Sequence, residues 1–452
     1  MQIDMKNKIS EDFFSNVYDL NSFRYREFNL INLFYSRYLK NRRGKSRRPS
    51  RSGVETISLL LKWPFHFAIF LIRLLSYLSP RKKSRILFMG NSGRHSYIGG
   101  KAYDLYNARI IEQCDSKEFV VVEEIRDGVR DRFQPEFYYK EDLKIIIQLL
   151  RFLFQIFNKD ELKSYSKTIL SKNPALSFSE NEVKRIVSHY FATYALLKIF
   201  LSVVRPSRVL LICHYGHEPF IAACKSLNIH VIELMHGTIS ESHPQYNFPQ
   251  EFRKIVGDKL FPDKLAVYGE YWKDIVVRGN LFQAEDVDIV GYYLKTPKMN
   301  ISSNLSDKNV ILITSQWTVV EVIRDYVIFL KENLDRNLWQ VVIKPHPVED
   351  PFIYTDLLER DFIVLSEFDI YSALLLADIH ISVYSSVLYE AVRYNVSNYV
   401  LRVEEYRNEY QPLIDNGIAL PLNIDQLPVC STESNISADF FFAEFNPTVL
   451  FK

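Results

Sequence analysis

His346 lies within Lys344-Pro345-His346-Pro347. The two prolines fix the backbone around it and hold the imidazole in one place. With Lys344 it is placed to neutralise a diphosphate without a metal ion, or it stays exposed and idle in an ordinary Pro-rich turn. Ser385 and Ser386 stand in Tyr384-Ser385-Ser386-Val387-Leu388-Tyr389-Glu390, where a helix is due to start. Free N–H groups at such a start bind anions and the hydroxyls add donors; ordinary capping by either serine is compatible with that role. Glu390 falls four residues after Ser386, on the same helix face. It is placed to accept hydrogen bonds from ribose hydroxyls, or to stay a solvated carboxylate. Thr314 and Ser315, in Thr314-Ser315-Gln316-Trp317, offer two more hydroxyls to a phosphate, with Trp317 available for stacking or for the core.

A second group of residues suits proton transfer. In Met235-His236-Gly237-Thr238, Gly237 allows a sharp turn that exposes His236 as a general base or a neutralising charge. The polar run 239–246 follows, with His243 in it, and suits an acceptor pocket. His217 and Glu218, in His214-Tyr215-Gly216-His217-Glu218, fit acid–base roles or the cap of the next helix. Arg94, in Asn91-Ser92-Gly93-Arg94-His95-Ser96, can hold an anionic acceptor. Metal chemistry is not expected. His214 and His217 lack a third ligand and the HExxH pattern, and Asp286-Val287-Asp288 runs into Ile289-Val290 as a strand entrance. No cofactor motif occurs: GxGxxG, GxxxxGK[ST] and GxSxG are all missing from a chain with only 14 glycines.

Alternating strands and helices position these groups. Strands are predicted at 85–90, 119–125, 209–213 and 229–234, with helices at 102–113, 141–157, 180–204 and 219–226. After residue 298 the pattern resumes. It has strands at 310–314, 339–343, 363–365, 379–383 and 398–401, the last closing the sheet, and helices at 319–333, 370–377 and 386–394. Such alternation predicts an α/β fold with two parallel sheets, and ligands sit at the carboxyl ends of parallel strands. Every motif above follows a strand. The expected division is 85–297 for an acceptor domain, 298–424 for a donor domain, and 425–452 for a tail that crosses back to the first.

Residues 1–84 differ. Eight basic residues and no acid lie between 37 and 51; then comes the apolar segment 57–78, interrupted by Lys62, Pro64, His66 and Arg73, and another basic run at 81–85. A helical extension on an anionic membrane surface fits this pattern, as does a buried helix with solvated basic loops; a full span of about 20 apolar residues fits poorly. Composition sets the outer bounds. The 452 residues are 47% hydrophobic and 24% charged, with 56 basic against 54 acidic side chains. That is globular and nearly neutral, which disfavours a nucleic-acid binder. Four dispersed cysteines and an N-terminus without a secretory core predict a cytoplasmic protein, peripheral on the inner face of the cytoplasmic membrane.

Together, His236-Gly237-Thr238, Lys344-Pro345-His346-Pro347, the stretch 384–391, and the runs 235–249 and 261–274 resemble GT-B-fold glycosyltransferases of bacterial capsule and O-antigen synthesis. The order of elements follows them over about residues 85–405. The resemblance implies two Rossmann-like domains facing a cleft, with a nucleotide-sugar donor on the second and a lipid-linked glycan acceptor on the first. It implies no metal and no cofactor. His236 would be the base. His346, Lys344, Ser385 and Ser386 would hold the donor phosphate and Glu390 the ribose. The same motifs are similar to teichoic-acid polyol-phosphate transferases, which use CDP-linked polyols, although Tyr384 stands where those have Asp. A sugar-nucleotide epimerase and a non-enzymatic scaffold are further alternatives.

Overall fold

Most strands of the chain are runs of Val, Ile, Leu and Phe that stay buried on both faces, as in Ile86–Met89 and Asn309–Thr314. That is the mark of parallel strands covered by helices on each side. The computed structural model describes residues 12–17, 19–42, 64, 68, 72, 86–89, 95–98, 101–104, 106–113, 119–123, 137–241, 243–293, 308–346, 349–364, 370–394, 396–430 and 437–451. They form two compact domains, one built on Lys6–Lys295 with Phe445–Lys452, the other on Thr296–Glu444.

The first domain carries seven strands: β1 (Ile86–Met89), β2 (Phe119–Glu123), β3 (Phe137–Tyr139), β4 (Arg208–Ile212), β5 (His230–Leu234), β6 (Lys264–Val267) and β7 (Val287–Ile289). Their order is β3-β2-β1-β4-β5-β6-β7, parallel throughout. The second domain has β8 (Asn309–Thr314), β9 (Trp339–Lys344), β10 (Phe362–Val364), β11 (Ile379–Ser382), β12 (Ser397–Leu401) and β13 (Leu420–Leu422), in the order β10-β9-β8-β11-β12-β13 and again all parallel. The two sheets share one doubly wound, Rossmann-like plan. Each has a topological switch point, between β1 and β4 and between β8 and β11, where loops part and leave a crevice.

Helices cover the first sheet: α1 (Ile31–Arg42), α2 (Lys140–Phe157), α3 (Lys159–Lys172), α4 (Glu180–Val204) and α5 (Glu218–Ser226). A reciprocal capping box between Ser179 and Glu182 starts α4. Leu197, Phe200 and Leu201 of α4 and Phe220 and Ile221 of α5 pack with Leu87, Val120, Leu211 and Val231 of the sheet. Each such buried side chain contributes roughly 1.5–3 kcal/mol. Among the described residues α4 alone is long and apolar enough to cross a bilayer, and half of its most apolar stretch is buried inside the domain.

Residues 12–42, expected within a separate extension, are packed into this domain. Phe13, Phe23, Phe34 and Tyr35 are fully buried. Tyr25 meets Phe191 at 5.2 Å and Phe28 meets Tyr190 at 5.4 Å between ring centres. Arg26 grips Glu161 through two N–H bonds of 3.2 and 2.8 Å. The apolar segment 57–78 lies outside the described residues, apart from positions 64, 68 and 72. At the other end, Asn446 N–H donates to the Val290 carbonyl (2.9 Å) and the Arg208 guanidinium to that of Leu450 (2.5 Å).

Two expected elements differ. Lys101–Asp104, of which the sequence predicts 102–104 in a helix, pairs antiparallel with His95–Ile98, and the helix is confined to Ala108–Glu112. In the sequence the two segments are separated by Gly99-Gly100, a pair suited to a two-residue hairpin turn. In the second domain β12 does not close the sheet. Leu420-Pro421-Leu422 adds an edge strand, where a proline costs no ladder bond.

Candidate functional site

In the first domain the polar residues gather beyond the ends of β4 and β5. The chain leaves β4 through Cys213, held at φ 69°, and Gly216, at φ 89°. The left-handed turn at Gly216 suits glycine; at Cys213 it is strained. The turn sends His214 inward and Tyr215 outward. His214 and Glu233 of β5 are both fully buried. The Glu233 carboxylate lies 2.9 Å from the His214 backbone N–H, 2.8 Å from His214 Nδ1 and 2.7 Å from the Tyr246 hydroxyl, which donates to it. Burial opposes the charge on Glu233, but the neighbouring His214 and these donors together hold its pKa below the ordinary carboxylate value. Burial and the Glu233 charge push the Tyr246 phenol well above its usual range.

On this buried base rests a half-exposed cluster. Tyr215 Oη lies 3.1 Å from His236 Nε2. The Tyr215 ring is 5.8 Å from that of His243, which packs edge-on against Tyr246 at 4.9 Å. The His236 carbonyl accepts from the Tyr106 hydroxyl (2.7 Å), and the Met235 carbonyl accepts from Tyr293. His243 Nδ1 accepts the Gln245 N–H at 3.3 Å. Thus His236 and His243 stand together around Tyr215 at the carboxyl end of the sheet.

The other first-domain candidates stand elsewhere. His217 turns back and donates from Nδ1 to the Cys213 carbonyl (2.8 Å), at the cap of α5. Glu218 is fully buried, accepting from Asn32 Nδ2 of α1 (2.8 Å) and from Gly216 N–H (2.9 Å). That places it in the joint between α1 and α5 rather than on an acceptor. Arg94 lies outside the described residues. Gly237 does not supply a left-handed turn: its φ is outside that region, and an added Cβ would meet no atom within 4 Å.

In the second domain Lys344 ends β9, half-buried opposite Thr314, and His346 projects into solvent. Glu349 closes this turn. Its N–H donates to the His346 carbonyl (2.8 Å), and its carboxylate takes the His346 N–H (3.3 Å), the Ser315 hydroxyl (3.1 Å) and the Tyr354 hydroxyl (3.3 Å). Burial raises the Glu349 pKa despite those donors. Ser386 is exposed at the start of the helix Val387–Ala391, and Ser385 Oγ accepts the Val387 N–H at 3.3 Å. Glu390 is half-buried one turn further on. Tyr384 bonds Thr318 through its hydroxyl and stacks on Tyr406 at 4.8 Å. Trp317 is 64% exposed.

Thr314 and Ser315 lie beneath the surface. They are 4% and 3% exposed. Thr314 Oγ1 lies 2.9 Å from His380 Nε2, whose Nδ1 meets Asn398 Oδ1 at 2.7 Å; Ser315 Oγ is shared between Glu349 and the Tyr354 hydroxyl (2.5 Å). Both hydroxyls tie strands and turn together beneath the surface.

Tyr215, Glu233, Tyr246 and Glu349 were not singled out from the sequence. For Glu233 a signal existed, since an acid inside an otherwise apolar central strand must be partnered. Among the described residues no group of three or more His, Cys, Asp or Glu side chains is arranged to hold a metal ion.

Fold and strand-end residues together define an α/β protein with two Rossmann-like parallel-sheet domains, each with polar groups at its carboxyl edge. No protein-family model matches the chain, and no curated protein matches it. Among solved structures it is similar to the UDP-GlcNAc 2-epimerase of Methanocaldococcus jannaschii, at 11% identity and a TM-score of 0.46, over 76% of this chain and 89% of that one. It is similar also to CalG4, the calicheamicin glycosyltransferase, at 14% identity and a TM-score of 0.43, over 76% and 86%. A third is MnaA of S. aureus in a co-structure with UDP, at 14% and 0.43, over 72% and 81%. The domain assignment rests on the sheet orders themselves.

Proposed function

We propose that the chain is a GT-B-type glycosyltransferase that moves a sugar from a nucleotide-activated donor to a growing cell-surface polysaccharide, of capsule or O-antigen kind. The observation that supports this reading is a matched pair of strand-end sites. One domain offers a half-exposed imidazole, His236, oriented by a phenol. The other offers a turn with Lys344 and His346, braced by the half-buried Glu349 carboxylate. Transfer of a sugar needs both: a base that takes the proton from the acceptor hydroxyl, and positive charge where the leaving phosphate gains negative charge.

In this reading the acceptor hydroxyl gives its proton to His236 as its oxygen bonds to the sugar, and the sugar–phosphate bond breaks. Lys344, His346 and the Ser386 hydroxyl stabilise the released nucleotide. Glu390 accepts from the ribose. The acceptor is lipid-linked, and the protein works at the cytoplasmic face of the membrane, to which the basic run at 37–51 draws it.

The test is a thermal-shift and transfer panel with UDP-, GDP-, CDP-, dTDP- and CMP-linked donors, on the wild type and on His346→Ala and His236→Ala. One donor class should stabilise the wild type and lose its effect in His346→Ala. His236→Ala should keep the donor shift and lose transfer. Donor turnover without acceptor would replace the transferase by an epimerase, and no shift with any donor would overturn the reading.

A further inference from the structure

A cavity of about 370 Å³ opens between α1, α2, α4 and the start of α5, within the roughly 300–1,000 Å³ typical of small-molecule sites. Arg37, Arg151, Arg185 and His189 line it, with Glu218 as the one carboxylate, and that carboxylate is already bonded to Asn32 and Gly216. Arg151 and Arg185 also line an adjoining cavity of about 350 Å³, which adds Lys159 and Lys184.

Clustered guanidiniums repel one another, and a protein ordinarily offsets that with carboxylates. Elsewhere in this chain it does so: Arg26 holds Glu161, Arg324 holds Asp356, and Arg336 holds Glu359. Arg37 has Glu182 at 3.2 Å. Among the described residues Arg151 and Arg185 have no such partner. The Nε atoms of Arg37 and Arg151, the Tyr190 hydroxyl and Thr193 Oγ1 are buried with no hydrogen-bond partner. Unmade bonds at buried donors are costly, and these four all belong to residues that line the cavity. Desolvation, then the neighbouring charges of Arg151 and Arg185, lower the His189 pKa, although the residue is exposed.

We propose that this cavity is a binding site for a phosphate or diphosphate group, held by the guanidiniums of Arg151 and Arg185 with Arg37, Tyr190 and Thr193 completing the donor set. Planar guanidiniums match the oxygen spacing of phosphate and bind it bidentately. The loop that presents Tyr215 to His236 presents its next residue, Gly216, to the cavity. A phosphate bound here therefore lies beside the imidazole cluster of the same domain. The cavity's charges do not depend on the transfer reaction, and binding can be tested apart from it.

Inorganic pyrophosphate is titrated calorimetrically into the full chain carrying His346→Ala, so that the proposed donor turn does not contribute. Arg151→Gln and Arg185→Gln, each added to that background, should weaken binding about tenfold or more. Phe152, Ile156 and Phe157 of α2 are 59%, 54% and 80% exposed beside Arg151, so the second probe is a lipid: phosphatidic acid vesicles, against phosphatidylcholine, in a sedimentation assay. Vesicle binding lost in the two variants assigns the site to a lipid-borne phosphate. Pyrophosphate binding alone assigns it to a soluble phosphate ester. The proposal is overturned if neither probe binds, or if both variants bind each probe as the parent does.

Discussion

Tyr215 and His236 follow neighbouring parallel strands and meet with the phenol oxygen 3.1 Å from Nε2. Their meeting depends on β4 and β5 being adjacent and in register, with Ile212 opposite Leu234. Beneath them, Glu233 holds the turn that carries Tyr215 by taking the His214 N–H. The His236 imidazole, the Tyr215 phenol and the buried Glu233 carboxylate thus form one connected unit within a single domain.

Tyr215→Phe removes the partner of His236 without emptying space. If Tyr215 positions the imidazole, transfer should slow by about tenfold while donor-induced stabilisation stays as in the wild type, and the pH profile of kcat/KM should shift. An unchanged rate and profile would show that His236 is oriented by other contacts.

Much of this architecture was legible in the sequence, because strands such as Arg208–Ile212 and Asn309–Thr314 are unbroken apolar runs followed at once by polar turns. What could not be read was the side toward which a strand-end residue points. Thr314 looked available, yet it is the last rung of β8, and its hydroxyl turns to His380 of β11, the next strand. Glu349 lies beyond the turn it braces, and folds back onto Ser315 from 34 residues away. The edge strand Leu420–Leu422 escaped for a different reason: three residues containing a proline carry no periodicity.

Glu233→Gln should destabilise the first domain by about 1–3 kcal/mol at neutral pH, since an amide cannot accept three donors as a carboxylate does. The wild-type carboxylate has a pKa lower in the folded chain than in the unfolded one. Its contribution is therefore complete above the unfolded value, near 4.3, and is lost as pH falls through the folded value. Hydrogen exchange at β5 amides should show a gap between wild type and variant at pH 7 that closes in strong acid. A gap that persists there would assign the effect to shape rather than charge.

His380 gives the second domain a pH dependence in a different window. It spans Thr314 and Asn398 while fully buried, and burial brings its pKa from 6.5 to about 4. Above pH 6.5 both folded and unfolded chains carry a neutral imidazole. As pH falls the unfolded chain takes the proton first, so stability should drop by about 2 kcal/mol by pH 5 and level off below about pH 4. In His380→Gln that part of the slope should vanish. Equal slopes in the two proteins between pH 7.5 and 5 would mean that the loss comes from other groups.

Two glycines separate packing from motif. A Cβ at Gly279 would sit 2.3 Å from the Tyr246 carbonyl oxygen, a backbone atom that cannot swing aside. Gly279→Ala must therefore push the segment whose Tyr246 hydroxyl donates to Glu233. It should cost about 1–3 kcal/mol and disturb His214 in turn. Gly237 neighbours His236, yet its Cβ would meet nothing within 4 Å and its backbone is not left-handed, so Gly237→Ala should stay within about 0.5 kcal/mol of the wild type. Melting temperatures and transfer rates of the pair then separate two views of the motif. If Gly237→Ala keeps stability but loses transfer, the acceptor or donor needs the space beside His236 that the absent side chain leaves. If it keeps both, the glycine of His236-Gly237-Thr238 is dispensable and the function of the segment lies in His236 alone.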